Sequence, residues 1–145
     1  MSSVTRQQLE SAINNGLKIG LNGENLQGLD LSGLNLSEFD FSYANLESVN
    51  FRGANLSKAI LWSVQAAKAN FSQANLSGAN LGTANLSQCN LSGAILRQAS
   101  LLGTNLQQAD LSSADLRLAN LQNTILTDII YNAQTQWPFF AVGQN

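Results

Sequence analysis

Between Glu24 and Asp128 the chain repeats every five residues without an insertion, which gives 21 consecutive pentapeptides. Repetition at a fixed period constrains architecture more strongly than any local propensity. The third residue of each unit is Leu or Phe in 20 cases, running from Leu26, Leu31, Leu36 and Phe41 to Leu126, with Ala66 the exception. Two residues earlier stands something small or apolar, Ala in 12 of the 21 units. The intervening residue is Asn or Asp in 16 units, broken by Ile60, Gln65, Ile95, Ser100 and Ile125.

A period of five matches neither the 3.6 of a helix nor the 2 of a simple strand, so something must reset the chain once per unit. In extended backbone the small residue and the Leu share one face, and the Asn or Asp points the other way. Each unit therefore reads as a short strand with an apolar inner side. Gly28, Gly33, Gly53, Gly78, Gly93 and Gly103 all occupy the last position, where a type II turn needs a positive φ that Gly adopts at least steric cost. Corners of one sense wind a chain into a coil, and stacked coils pair their backbones around an axis filled by Leu. A run of helical turns is excluded by the six glycines and the recurrent Asn and Ser.

The units Ala74-Asn75-Leu76-Ser77-Gly78 and Ala79-Asn80-Leu81-Gly82-Thr83 resemble the A-(D/N)-L-x-x motif of the pentapeptide-repeat family. The resemblance covers residues 24–128. It implies an all-β fold, a right-handed quadrilateral β-helix (β-solenoid) of four pentapeptides per coil and about five coils. At an inter-strand spacing near 4.8 Å that is a rod of roughly 25 Å.

A four-unit coil places residues 20 apart directly above one another. Phe51 and Phe71 should stack inside, flanked by Leu31 and Leu91. Ala66 falls in the ladder of Leu46 and Leu86, where the ring of Phe71 is expected to fill the space it leaves. Glu38 and Lys58 should form an exposed pair worth at most about 1 kcal/mol. Cys89 takes an inward small-residue position and reads as a buried structural thiol rather than a nucleophile.

Coil stacks expose apolar side chains and unpaired backbone at both ends, so both flanks should be caps. Residues 1–23 form the first. Within them Thr5-Arg6-Gln7-Gln8 fits a capping box, and Leu9, Ala12 and Ile13 make one apolar stripe ended by Gly16, which predicts a helix over about 6–14. Residues 129–145 form the second, where the repeat decays through Ile129, Ile130 and Tyr131. The tail Thr135-Gln136-Trp137-Pro138-Phe139-Phe140 reads as a cover for the last coil. It resembles the T-x-(F/W)-P tail of many cyanobacterial family members.

Composition argues against chemistry. There is no His, which excludes a His-based metal centre or catalytic triad, and the lone Cys89 cannot make an internal disulfide or a thiolate cluster. No catalytic, cofactor-binding or metal-binding residue is assigned. Asp30, Asp40, Asp110 and Asp115 all sit at the Asn/Asp position of the repeat, which already explains them. The Asn-x-Ser triplets at Asn35, Asn55, Asn70, Asn75, Asn85 and Asn90 are by-products of the repeat. No export signal or membrane span is visible, and a reducing cytoplasm is the expected location.

The expected function is a non-enzymatic, rigid protein-interaction scaffold, without small-molecule substrate, cofactor, nucleic acid or membrane. The resemblance carries an alternative, a DNA-mimic inhibitor of a type II topoisomerase. Charge speaks against it: residues 1–50 carry −4, residues 51–109 carry +4 and residues 110–145 carry −2, a poor copy of a uniformly anionic duplex. Ile60 and Trp62 stand instead at outward positions where the repeat prefers Asn and Ser. Trp62 should face Gly82 one coil on and Leu102 two coils on, with Tyr43 at a corner of the previous coil. Tyr43, Ile60, Trp62 and Leu102 are accordingly the candidate surface for a partner protein or for self-association, the alternative being that Trp62 only covers its own wall. Ile95 and Leu118 make a smaller second strip. A monomer or a weak end-to-end homodimer is expected.

Overall fold

The computed structural model describes residues 4–138. Every unit contributes one residue to a parallel backbone bridge, and from Asn25↔Asn45 to Asp110↔Ile130 each bridge joins residues 20 apart. Four units therefore make one turn of a square coil. Its faces carry the inward residues Leu26, Leu31, Leu36 and Phe41 in the first turn and their counterparts at intervals of 20 above. We call these the first to fourth faces in chain order.

Why five residues close one side follows from the amide inventory of a unit. In the unit Ala54 to Lys58, the Asn55 amide donates to Leu34 O at 2.9 Å in the coil below, while the Leu56 and Lys58 amides donate to Asn75 O and Ser77 O above. The Ala59 amide of the next unit donates back to Leu56 O at 3.0 Å and closes the turn. The remaining amide, on Ser57, is accepted by Asn55 Oδ1 at 3.0 Å. The Asn side chain thus supplies the one acceptor that the backbone lacks. This bond recurs in all 16 units that carry Asn or Asp.

The corner residue has positive φ in every unit, between 54° and 75°, and in 15 of them it is not glycine. A left-handed L-residue costs on the order of 1 kcal/mol, and the coil above accepts the amide of all of them except Leu118, Asn123 and Asp128 at the upper end. Glu38, for example, has φ 64° and donates its amide to Ser57 O at 3.0 Å. Six glycines therefore mark a corner that the whole repeat shares.

The axis is apolar: every inward Leu or Phe from Leu21 to Leu116 is fully buried. Phe51 and Phe71 stack with ring centroids 5.1 Å apart and planes 13° apart, and Phe41 meets Phe51 edge-on at 5.9 Å. Polar groups at the small position are accommodated by one device. Thr104 Oγ1 donates to Leu81 O at 2.7 Å, Thr124 Oγ1 to Leu101 O at 2.7 Å, and the Cys89 thiol to Ala66 O at 2.9 Å. Each donor lies 23 residues beyond its acceptor. Cys89 is 1% exposed, and burial pushes its thiol up to about 12, so it stays protonated.

At the lower end helix α1, Arg6–Asn14, lays Leu9 and Ala12 onto the core. Its capping box is complete, with Thr5 Oγ1 accepting the Gln8 amide at 3.1 Å and Gln8 Oε1 accepting the Thr5 amide at 2.8 Å. Arg6 ties the helix to the stack by donating to Asp30 O at 3.0 Å. At the upper end the ladder continues past Asp128 but slips by one residue, Asp115 pairing with Gln136. Thr135 then takes the small position and donates to Leu111 O at 2.9 Å, and Trp137 packs against the core and edge-on to Tyr131 at 5.8 Å. Phe139 and Phe140, read from sequence as part of the cover, lie outside the described residues.

One register prediction needs correction. Glu38 pairs with Lys18, at 3.4 Å, one coil below, and not with Lys58 above. Lys18 precedes the recognisable repeat, which hid its place in the ladder. The stem of Lys58 instead lies along the wall, its Cγ within van der Waals reach of Gly78.

Candidate protein-interaction site

The four residues singled out from sequence all fall on the fourth face, in the units Phe39 to Tyr43, Ala59 to Ser63 and Ala99 to Gly103. Tyr43 lies one coil below, beneath Ser63 and next to the column of Trp62, its amide donating to Trp62 O at 2.9 Å. Ile60 bridges Asp40 below and Asn80 above. Tyr43 is 66% and Ile60 38% exposed, while Trp62 and Leu102 are half-buried.

Trp62 is half-buried because its indole packs against Gly82. A methyl group at Gly82 would collide with Cζ3 of Trp62 and come within 2.6 Å of Cε3. Gly82 has no positive φ to explain its presence, so close approach of the ring is its structural reason. The indole thereby continues the wall as an apolar plate.

Two features of this face were not visible to sequence reasoning. The first is charge: once the units are assigned to faces, Asp40 at the lower end is the one Asp, Glu, Lys or Arg in the repeat units of the fourth. The units centred on Leu61, Leu81, Leu101 and Leu121 have none. Depletion of charge around aromatic side chains is the compositional mark of an interface core. The second is backbone. Where Asn or Asp is missing, the turn amide loses its side-chain acceptor, and the amides of Trp62, Ala67, Arg97, Leu102 and Thr127 find no other among the described residues. Two of these five, Trp62 and Leu102, lie on the fourth face. The face thus combines aromatic surface, absence of charge and free N–H donors. The signal was in the repeat itself, since an outward Ile60 or Ser100 marks a turn without its acceptor.

Corner residues give a parallel indication. Among the 15 non-glycine corners, Tyr43 and Leu118 are the large hydrophobics, and both are strongly exposed. Leu118 and Ile95, the second strip, lie on the third face with exposures of 59% and 39%. Arg117 beside them holds Asp115 by two bonds of 2.9 and 2.7 Å. These bonds keep the Asp115 carboxyl below the ordinary carboxylate range. Hydrogen bonds from the Ser32 hydroxyl and amide do the same for Asp30. Among the described residues no group of His, Cys, Asp or Glu is placed to hold a metal ion.

The coil, with its recurrent side-chain acceptor and uninterrupted leucine axis, defines a class of solenoid built from five-residue units. The pentapeptide-repeat family model matches residues 25–62, 67–101 and 89–128, and the chain belongs to that family. Its fold is the family's right-handed quadrilateral β-helix. A pentapeptide repeat protein from the thylakoid lumen of Arabidopsis thaliana is similar, with 33% identity and a TM-score of 0.69, over 71% of this chain and 72% of that one. Another, from the cyanobacterium Cyanothece 51142, has 30% identity and a TM-score of 0.42 over 78% of this chain and 87% of its own. The fluoroquinolone resistance protein QnrB1 has 17% identity and a TM-score of 0.32, over 80% of this chain and 79% of that one. No curated protein matches the chain at a significant level. Among the described residues no helix is long and apolar enough to cross a membrane.

Proposed function

We propose that this protein is a non-enzymatic scaffold whose fourth face docks another protein. The observation that carries the reading is the coincidence on one wall of the Trp62 plate over Gly82, the exposed Tyr43 and Ile60, and near-complete absence of charge. A flat apolar wall suits a partner's surface, since small-molecule sites are concave with convergent polar groups. The free amides of Trp62 and Leu102 give such a partner two donors two coils apart, about 10 Å at the ordinary strand spacing.

A role as a DNA mimic is opposed by the distribution of charge, because Arg52, Lys58, Lys68 and Arg97 fall in the middle coils, where residues 51–109 hold no acid. The working location is the cytoplasm, in keeping with one buried cysteine and no disulfide to maintain. In solution the protein is a monomer or a weak end-to-end dimer.

Affinity capture from the source organism, run in parallel with wild type, Trp62→Ser and Lys58→Ser on the third face, tests the docking face. The Trp62 variant should lose a partner that the other two retain. The same captured proteins and the same oligomeric state in all three would remove the proposal.

A further inference from the structure

On the third face, near the upper end of the stack, Arg97, Arg117, Leu118 and Trp137 line an open cleft of about 430 Å³. Three departures from the repeat meet there. Ile95 replaces the usual Asn, so the Arg97 amide has lost its acceptor and donates to nothing among the described residues. The Arg97 guanidinium likewise makes no ion pair or side-chain hydrogen bond among those residues. Leu118 occupies a left-handed corner, φ 64°, that is polar or Gly in most units, and is 59% exposed.

Charge in the cleft does not cancel. Arg117 holds Asp115 through two bonds and the Asp115 carboxylate also feels the Arg97 charge, so two cations face one anion and a net positive charge remains. One residue therefore offers both a guanidinium and a free N–H, the donor pair that a carboxylate accepts. Around it Ile95, Leu118 and the half-buried Trp137 supply apolar surface.

We propose that this cleft docks a partner-protein segment carrying an acidic side chain beside a bulky apolar one, the carboxylate going to Arg97 and the apolar group between Leu118 and Trp137. The surface is separate from the fourth face, and neither reading depends on the other.

The test is an amide and indole NMR titration of the full chain with the acetylated, amidated peptide Gly-Phe-Asp-Leu-Gly, alongside its Asn counterpart. The Asp peptide should shift the Arg97 amide, the Leu118 amide and the Trp137 indole signals saturably, leaving the Trp62 indole unmoved. Replacing Asp by Asn, or Arg97→Gln in the protein, should weaken binding about fivefold, the equivalent of one exposed ion pair, with Arg97→Lys recovering part of the loss. No saturable shift, or equal affinity for the two peptides, overturns the proposal. So does a concentration-dependent shift of the same signals in the protein alone, which would make a second copy the occupant. Cross-relaxation between Leu118 methyls and the chain's own residues beyond Pro138 would likewise overturn it by assigning the cleft to the tail.

Discussion

Exchanging Asn and Gln at two outward positions isolates the side-chain acceptor from everything else in the repeat. Asn105 Oδ1 accepts the Gln107 amide at 2.9 Å, whereas Gln65, in the same column two coils below, leaves the Ala67 amide without an acceptor. Gln carries the same amide group one methylene further out, too far to close the same turn. Asn105→Gln should therefore lose one hydrogen bond and Gln65→Asn should gain one, each about 1 kcal/mol. For a chain of this size that is roughly 2–5 °C in melting temperature, downward in the first variant and upward in the second. The two sites lie two coils apart, so the double variant should return close to wild type. Thermal melts followed by circular dichroism read all four proteins. If Gln65→Asn failed to stabilise while Asn105→Gln destabilised, the acceptor account would be wrong, and the Asn preference would have to come from stacking between Asn side chains along the column.

Ala66→Leu tests the expectation that the Phe71 ring fills the space beside Ala66: on that reading the larger side chain should overpack and cost about 1–3 kcal/mol, read as a lowered denaturant midpoint. A stabilised variant would mean that an unfilled gap was there. Asp115→Asn keeps the acceptor for the Arg117 amide but removes the charge that Arg117 holds. Because the Arg117 bonds hold the folded-state Asp115 carboxyl below the ordinary carboxylate range, its contribution is present above that range and is lost as pH falls through the folded value. The variant should therefore melt below wild type near neutral pH and converge with it as the pH falls below the ordinary carboxylate range. A gap that did not close with acid would show that the Asp115 charge is not responsible.

The period of five, the inward Leu and Phe and the small residue two places earlier made the solenoid legible, and stacking by 20 correctly paired Phe51 with Phe71. Trp62 over Gly82 followed from the same arithmetic. The Asn preference was read as mere outward polarity, because its purpose depends on an amide two residues later that no periodicity reveals. The corner conformation was inferred from Gly alone, whereas Gln88, Lys68 and Leu118 adopt it as well, the first two held there by amide bonds to the next coil. Lys18 as partner of Glu38 was hidden by the absence of a full repeat unit around it, and Thr135 by a one-residue slip that breaks the frame. Clearing the fourth face of charge required assigning every unit to its wall.

Hydrogen exchange tests the central claim, that the fourth face is a docking surface built from departures in the repeat. In the free protein the amides of Trp62 and Leu102 should exchange far faster than their bonded neighbours Leu61 and Ser63. In complex with the partner that Trp62→Ser fails to capture, both should become protected while Ala67, on the first face, stays fast. Protection appearing on the first face, with Trp62 and Leu102 unchanged, would contradict the account.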